Sequence, residues 1–193
     1  MKYIISIILV LLIFVFAYFL YQSIAEPIRF TSEKAKREKL VIKNLKDIRK
    51  SQEIFREITD SFANNFDTLI YVLKHDSIPV IKILGNPDEI SAEEQVEYDT
   101  IYFSALDSLN KMNVNLDSMI YVPFSGGKKF DIQAGEIDYQ KTKVNVVEVG
   151  TRYKEFMGKY ADKAYKKYET GYDPDNQVKF GDLNSPNLTG NWE

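Results

Sequence analysis

The sequence predicts an α+β protein with an N-terminal transmembrane helix, an amphipathic stalk helix and a head built on an antiparallel β-sheet. Three observations carry this. Tyr3 to Tyr21 (YIISIILVLLIFVFAYFLY) holds no charge, and Ser6 is its only polar residue apart from the tyrosines. Between Val41 and Phe62 apolar side chains recur at helical spacing. From Ile78 onward, segments rich in β-branched residues are separated by Gly, Pro, Asn and Ser clusters, as in strands joined by turns. The expected division is residues 1–25 as anchor, 26–62 as stalk helix, 63–170 as α+β head and 171–193 as flexible tail.

The apolar run sets the placement of everything after it. At about 1.5 Å per residue it covers roughly the 30 Å hydrocarbon core of a bilayer, which only fully hydrogen-bonded backbone can cross. Tyr3, Ile8, Leu11, Phe14, Tyr18 and Tyr21 mark its length, and Tyr18 and Tyr21 stand where an interfacial aromatic belt sits. A buried core helix is disfavoured, because such helices are seldom apolar around their whole circumference. A cleaved signal peptide has some support in Ser23 and Ala25, small residues spaced like a processing site. The run is longer than the usual signal core of about 7–15 residues, so a retained single-pass anchor is expected.

Charge and composition narrow the function classes. Arg29 to Glu57 holds ten Lys/Arg against five Asp/Glu (+5), whereas Ile58 to Glu193 holds fourteen against twenty-two (−8). A basic stalk thus carries an acidic head, which argues against nucleic acid, since phosphate neutralisation needs clustered Lys and Arg. The stalk charges favour contact with anionic lipid headgroups. Orientation is contested: only Lys2 precedes the span, whereas Arg29, Lys34, Lys36, Arg37 and Lys39 follow it. The positive-inside rule alone then puts the head in the cytoplasm, although a large C-terminal domain can translocate in spite of flanking charge.

Taken in order, Glu26-Pro27 is expected to end the first helix, because proline lacks a donor and biases its predecessor away from helical angles. A second helix then starts near Thr31 or Ser32. Its stripe is Val41, Leu45, Ile48, Phe55, Ile58 and Phe62, interrupted by Gln52. That stripe either packs on the head or forms a helix interface with another chain. Phe66 to Lys74 reads as a short helix capped by Asn64-Asn65, and Ile78 to Leu84 as a strand ending at Gly85-Asn86-Pro87. Asp88 to Val96 reads as loop or short helix. Tyr98 to Phe103, Ser118 to Pro123, Lys129 to Ile137 and Val144 to Val149 are further strands, the middle pair joined across Ser125-Gly126-Gly127. Arg152 to Glu169 reads as a Tyr-rich surface helix interrupted at Gly158, and the Gly/Pro/Asn-rich tail from Gly171 as loop.

No constellation for catalysis emerges, and no cofactor or metal site is expected. The chain has no cysteine, and its single histidine, His75, sits at a predicted helix end. Ser125-Gly126-Gly127-Lys128-Lys129 lacks the upstream glycine and the Gly-Lys-Ser/Thr order of a phosphate loop. Asp173-Pro174-Asp175-Asn176 lacks the spaced ligands and closing Glu of a calcium loop, and Glu93-Glu94 has no apolar surroundings to shift a carboxyl pKa. The expectation is a non-enzyme.

Two resemblances bear on function. Five triplets centred on Thr68, Ser77, Thr100, Ser108 and Ser118 read Asp, hydroxyl, then aliphatic or Met. They resemble the acceptor triplet of a general O-glycosylation system of one Gram-negative group, which acts on exported proteins; Asp and Ser/Thr also favour helix caps and turns. Asp47 to Ile70 (DIRKSQEIFREITDSFANNFDTLI) resembles the region of type IV pilins and type II secretion pseudopilins where the long N-terminal helix ends. That resemblance implies an apolar helix continuing into an amphipathic extension, an antiparallel sheet packed on it, and a head outside the cytoplasmic membrane. The chain departs from the family at Met1 to Leu11, which lacks the basic leader ending in Gly and the Glu five residues into the apolar run. Phe66 to Leu84 and Val178 to Glu193 also resemble segments of membrane-anchored envelope proteins of the same group. The resulting expectation is a single-pass inner-membrane protein with a periplasmic head, a scaffold or assembly component whose partners are the bilayer and other envelope proteins or copies of itself. The alternative is a membrane-anchored ligand-binding or sensory head.

Overall fold

The protein was analysed as a computed structural model, which describes residues 2–84 and 97–193. It is α+β. A single helix, α1 (Lys2–Thr59), is followed by α2 (Phe66–His75), the hairpin β1 (Ser77–Leu84) and β2 (Glu97–Ser104), then α3 (Ala105–Lys111) and α4 (Leu116–Met119). A three-stranded antiparallel sheet closes the head: β3 (Asp131–Tyr139), β4 (Thr142–Arg152) and β5 (Gln177–Gly181), in the order β3-β4-β5. Between β4 and β5 lie one short turn of helix, α5 (Tyr153–Phe156), and two 3-10 turns at Gly158–Tyr160 and Lys163–Lys167.

The expected break at Pro27 does not occur. The helix runs 58 residues without interruption, about 87 Å at the standard rise. An interior proline costs about 3 kcal/mol, but the next turn is held by the head. Phe30 is fully buried beneath a collar of Tyr160, Tyr165, Tyr168 and Tyr172, with ring centroids 5.0–6.2 Å away. Burying one Phe contributes about 1.5–3 kcal/mol, and each aromatic pair about 0.5–1.5 kcal/mol more. Those terms are large enough to offset the lost bond. The collar is also pinned by polar contacts: Tyr168 donates to Glu26 (2.5 Å), Tyr153 to Glu38 (2.7 Å), Lys34 to Glu169 (2.6 Å) and Arg37 to the Phe156 carbonyl (2.7 Å).

The stripe on α1 is the floor of the head's core. Val41, Leu45, Ile48, Phe55 and Phe62 are buried and Ile58 partly so, packed with Leu69, Leu73, Leu109, Val149 and Phe180. The stripe is therefore covered by the head of the same chain, the first of its two expected roles. Gln52, which interrupts it, is fully buried. Its amide donates to the Ala63 carbonyl and its Oε1 accepts the Ala63 N–H, both at 2.9 Å, closing the turn after the helix end.

α2 matches its expected range, with Asn65 accepting the Thr68 N–H at 2.7 Å and Phe66, Leu69 and Leu73 inward. The strands expected over Ile78–Leu84, Tyr98–Phe103, Lys129–Ile137 and Val144–Val149 fall within or overlap β1, β2, β3 and β4. Ser118–Pro123 is not a strand: Asn115 caps Asp117 and Ser118 into α4, leaving one bridge, Tyr121 with Lys129, across the Ser125–Lys128 turn. The principal hairpin lies instead at Gln140-Lys141, both at positive φ (50° and 68°), between β3 and β4. The Arg152–Glu169 surface helix is replaced by the short turns of the collar. Nor is the tail unstructured: β5 pairs with β4, Val178 and Phe180 are buried, and Gly181 turns at φ +79° where a Cβ would lie 1.9 Å from the Val147 carbonyl. Arg49 holds the chain end through Leu188 (3.2 Å) and Glu193 (2.9 Å). The segment Asp88–Val96 lies outside the described residues.

Two outcomes follow. Gln52→Leu orphans the buried Ala63 N–H and carbonyl, at about 1–3 kcal/mol for each unpaired group, and thermal unfolding of the detergent-solubilised protein should show the loss. The second is alkaline. Burial raises the Tyr172 phenol to about 12, and burial with the Glu38 carboxylate raises that of Tyr153. Neutral phenols are favoured in the folded state, so their contribution is complete below the ordinary tyrosine value near 10 and is lost as pH climbs from about 10 towards 12. The midpoint of unfolding should fall across that window, and more gently in Tyr153→Phe/Tyr172→Phe.

Candidate protein-docking groove

The candidate carboxylates and loops for chemistry are committed elsewhere. Asp175 accepts from Lys154 (2.8 Å) and Lys163 (3.1 Å), which hold its carboxyl at about 2, and Asp173 accepts the Asp175 N–H at 2.9 Å. In the Ser125–Lys129 turn, Lys128 pairs with Glu155 and Lys129 with Asp67. His75 stacks on Tyr71 at the end of α2. Among the described residues no group of His, Cys, Asp or Glu is placed to hold a metal ion; Glu93 and Glu94 lie outside them.

Two clefts remain. One, of about 520 Å³, opens between β5 and the collar, lined by Lys34, Tyr153, Glu169, Tyr172, Asp175 and Lys179. It is polar, and its charges answer one another: Lys34 binds Glu169 and Lys179 binds Glu148, each at 2.6 Å. The arrangement braces the collar and presents little apolar surface to a ligand.

The other is a groove along the flank of α1. Its proximal part, about 720 Å³, has a floor of Ala35, Leu40, Ile42 and Met112 and a rim of Lys39, Lys43, Lys46 and Lys50. It continues past Lys50 and Met112 into a smaller distal part, about 330 Å³, walled by Ile78, Val80 and Phe103 of the hairpin and by Glu53 and Glu57. From Ala35 to Glu57 the groove is roughly 33 Å long at the helical rise. Leu40 and Met112 are 41% and 48% exposed, enough apolar surface for a partner to cover. Asp47 takes Lys43 at 3.1 Å and Lys50 at 3.8 Å, so the rim keeps Lys39 and Lys46 as its outward cations.

The hairpin that walls the groove is itself uncovered. Residues facing each other in the register share a face, so Val80 and Ile101 stand on the groove side and Pro79 and Tyr102 on the other. Ile81 (65%) and Tyr102 (68%) lie open to solvent. A two-stranded hairpin is marginal alone, and an unpaired apolar edge invites another chain. The outer edge of β3, by contrast, is guarded by Asp131, Glu136 and Asp138.

Of the sequence-derived residues, Tyr3, Ile8, Leu11, Phe14, Tyr18 and Tyr21 are all more than half exposed on the part of α1 clear of the head. By length and composition that helix could cross a membrane. Thr68, Ser77, Thr100 and Ser118 are exposed and Ser108 half-buried; three of the five triplets sit at the start of α2, α3 and α4, where Asp and Ser/Thr favour caps in any case. The groove had one sequence signal, the lysines at 39, 43, 46 and 50, spaced as a second helical stripe beside the apolar one. The variant Leu40→Glu, at an exposed position, should change the unfolding free energy by no more than about 0.5 kcal/mol in a denaturant titration. The chain matches no protein-family model, no curated protein and no solved structure.

Proposed function

We propose that the protein is a non-catalytic single-pass envelope protein, anchored in the inner membrane by Tyr3–Tyr21, whose periplasmic α+β head is a scaffold or assembly component. The observation that supports it best is the groove. It is long, apolar-floored and continuous with an uncovered hairpin, a form suited to an amphipathic segment of another protein rather than to a small substrate. The lysine rim favours a partner segment with acidic residues flanking its apolar stripe. Export is supported by the glycosylation-like triplets and the pilin-like helix end, against the basic flank of the span. A C-terminal alkaline phosphatase fusion, active only after export, should be active; fluorescence from a cytoplasmic-folding reporter at the same position would overturn the orientation.

The ligand-binding alternative rests on the polar cleft at Lys34 and Lys179, whose cations already hold carboxylates of the same chain. Because the chain has no cysteine, a photocrosslinker on Met112→Cys reports the groove alone. Crosslinks in native membranes to one envelope protein, lost when acidic residues of the captured segment are neutralised, would support the scaffold reading. Crosslinks to a second copy would make the partner self. Absence of any specific adduct would count against docking.

A further inference from the structure

The collar places part of the head at the membrane surface. The uncharged run of exposed apolar side chains on α1 ends at Ile24, before Glu26, with Ile28 exposed one turn on, and the 3-10 turn Lys163–Lys167 lies beside the residues just beyond Ile24. Tyr165 stacks on Phe30 at 5.1 Å and the Tyr168 hydroxyl donates to Glu26 at 2.5 Å. Residues 26–30 stand roughly 3–9 Å past Ile24 along the axis, and the polar layer of each leaflet is about 5–7 Å deep. Residues some 140 positions apart in sequence thus meet at headgroup height.

The chemistry of this turn differs from the rest of the head. Lys159, Lys163, Lys166, Lys167 and Arg29 are all exposed around it. The acids facing them are Asp162, which caps the Ala164 N–H, Asp175, which binds Lys163, Asp173, which also acts on Lys163, and Glu26, 4.0 Å from Lys167; Glu33 on the same flank is taken by Arg37. Five cations stand against four acids, one of which, Asp175, is shared with Lys154, so the face keeps a small positive excess on a head that is otherwise acidic, and it lies where the head meets the bilayer. Tyr165 and Tyr168 add rings with an apolar body and a polar tip, the character enriched at membrane interfaces. Arg29 reaches back to the Tyr21 hydroxyl at 3.4 Å, linking this face to the aromatic end of the span.

We infer that Lys159–Tyr168 together with Arg29 forms a docking surface for anionic phospholipid headgroups, holding the head flat on the bilayer that its helix crosses. The inference rests on reading Tyr3–Tyr21 as membrane-spanning. A basic side chain near an anionic surface is attracted within about a Debye length, roughly 8–10 Å, and the collar holds these lysines inside that range. The unbroken helix keeps these lysines near the headgroups, and attraction to an anionic surface tilts the rigid body so that this face comes down onto it, with no reordering inside the head.

The test uses full-length protein, reconstituted into vesicles of phosphatidylcholine alone or with phosphatidylglycerol. A fluorophore on Ala164→Cys reports proximity to headgroup-attached nitroxide lipids, one on Val10→Cys reports proximity to acyl-chain nitroxides, and one on Lys141→Cys in the distant β3–β4 turn is the control. Quenching at Ala164 should rise several-fold with phosphatidylglycerol and fall with added salt. It should return to the phosphatidylcholine level in Lys159→Gln/Lys163→Gln/Lys166→Gln/Lys167→Gln and recover when the same four positions are Arg. Quenching at Val10 with none at Ala164, or equal quenching at Ala164 in both vesicles and in the Gln variant, overturns the docking surface and leaves the span intact. No quenching at Val10 overturns the span, and the docking surface with it.

Discussion

One face of α1, from Phe30 to Phe55, is buried beneath the head, and the rest of the chain is arranged over it. Phe30, Val41, Leu45 and Ile48 are fully buried, and α2, α4, β1 and β5 all pack on this helix. Without that surface, neither the two-stranded hairpin nor the three-stranded sheet has a core of its own to fold on. The same helix is the only element long and apolar enough, among the described residues, to cross a membrane. The segment that could cross a membrane and the floor of the core are therefore one element, and a helix has one axis. The head's height and rotation above the apolar span are set by side-chain packing instead of by a linker.

That constraint explains where the polar residues of the stalk lie. Gln52 is tolerated in the stripe because both ends of its amide meet the Ala63 backbone, so burial leaves nothing unpaired. Asp47, nearly buried, faces Lys43 and Lys50. The lysines at 39, 43, 46 and 50 are displaced to the flank, and there they rim the one extended apolar groove found among the described residues. The cations of the basic stalk are thus distributed along the groove, at the collar through Lys34 and Arg37, on the tail through Arg49 and over Phe62 through Arg56.

The elements legible in the sequence were those with a local signal. The capped α2, the stripe, β1 to β4 and the apolar span all follow from periodicity or from a cap. What the sequence misjudged depended on contacts distant along the chain. Pro27 ends no helix because Tyr160, Tyr165, Tyr168 and Tyr172, more than 130 residues later, cover Phe30. The tail is ordered because Val178 and Phe180 enter the core of a sheet whose other strands end near Arg152. The Gln140-Lys141 turn contains no Gly or Asn, so positive φ at both residues is imposed by the flanking register. The groove is assembled from α1, α3 and the hairpin, and only its lysine spacing was visible beforehand.

The continuity of α1 through Pro27 is the feature on which head placement depends, and it can be measured directly. Spin labels on Gln22→Cys and Lys36→Cys lie fourteen residues apart on exposed positions either side of the proline. In membranes, an unbroken helix gives one narrow distance distribution centred on a backbone separation of about 21 Å. A broad distribution, or a shorter centre that shifts between lipid compositions, would mean that the helix hinges at Pro27 and that the head is carried on a flexible joint.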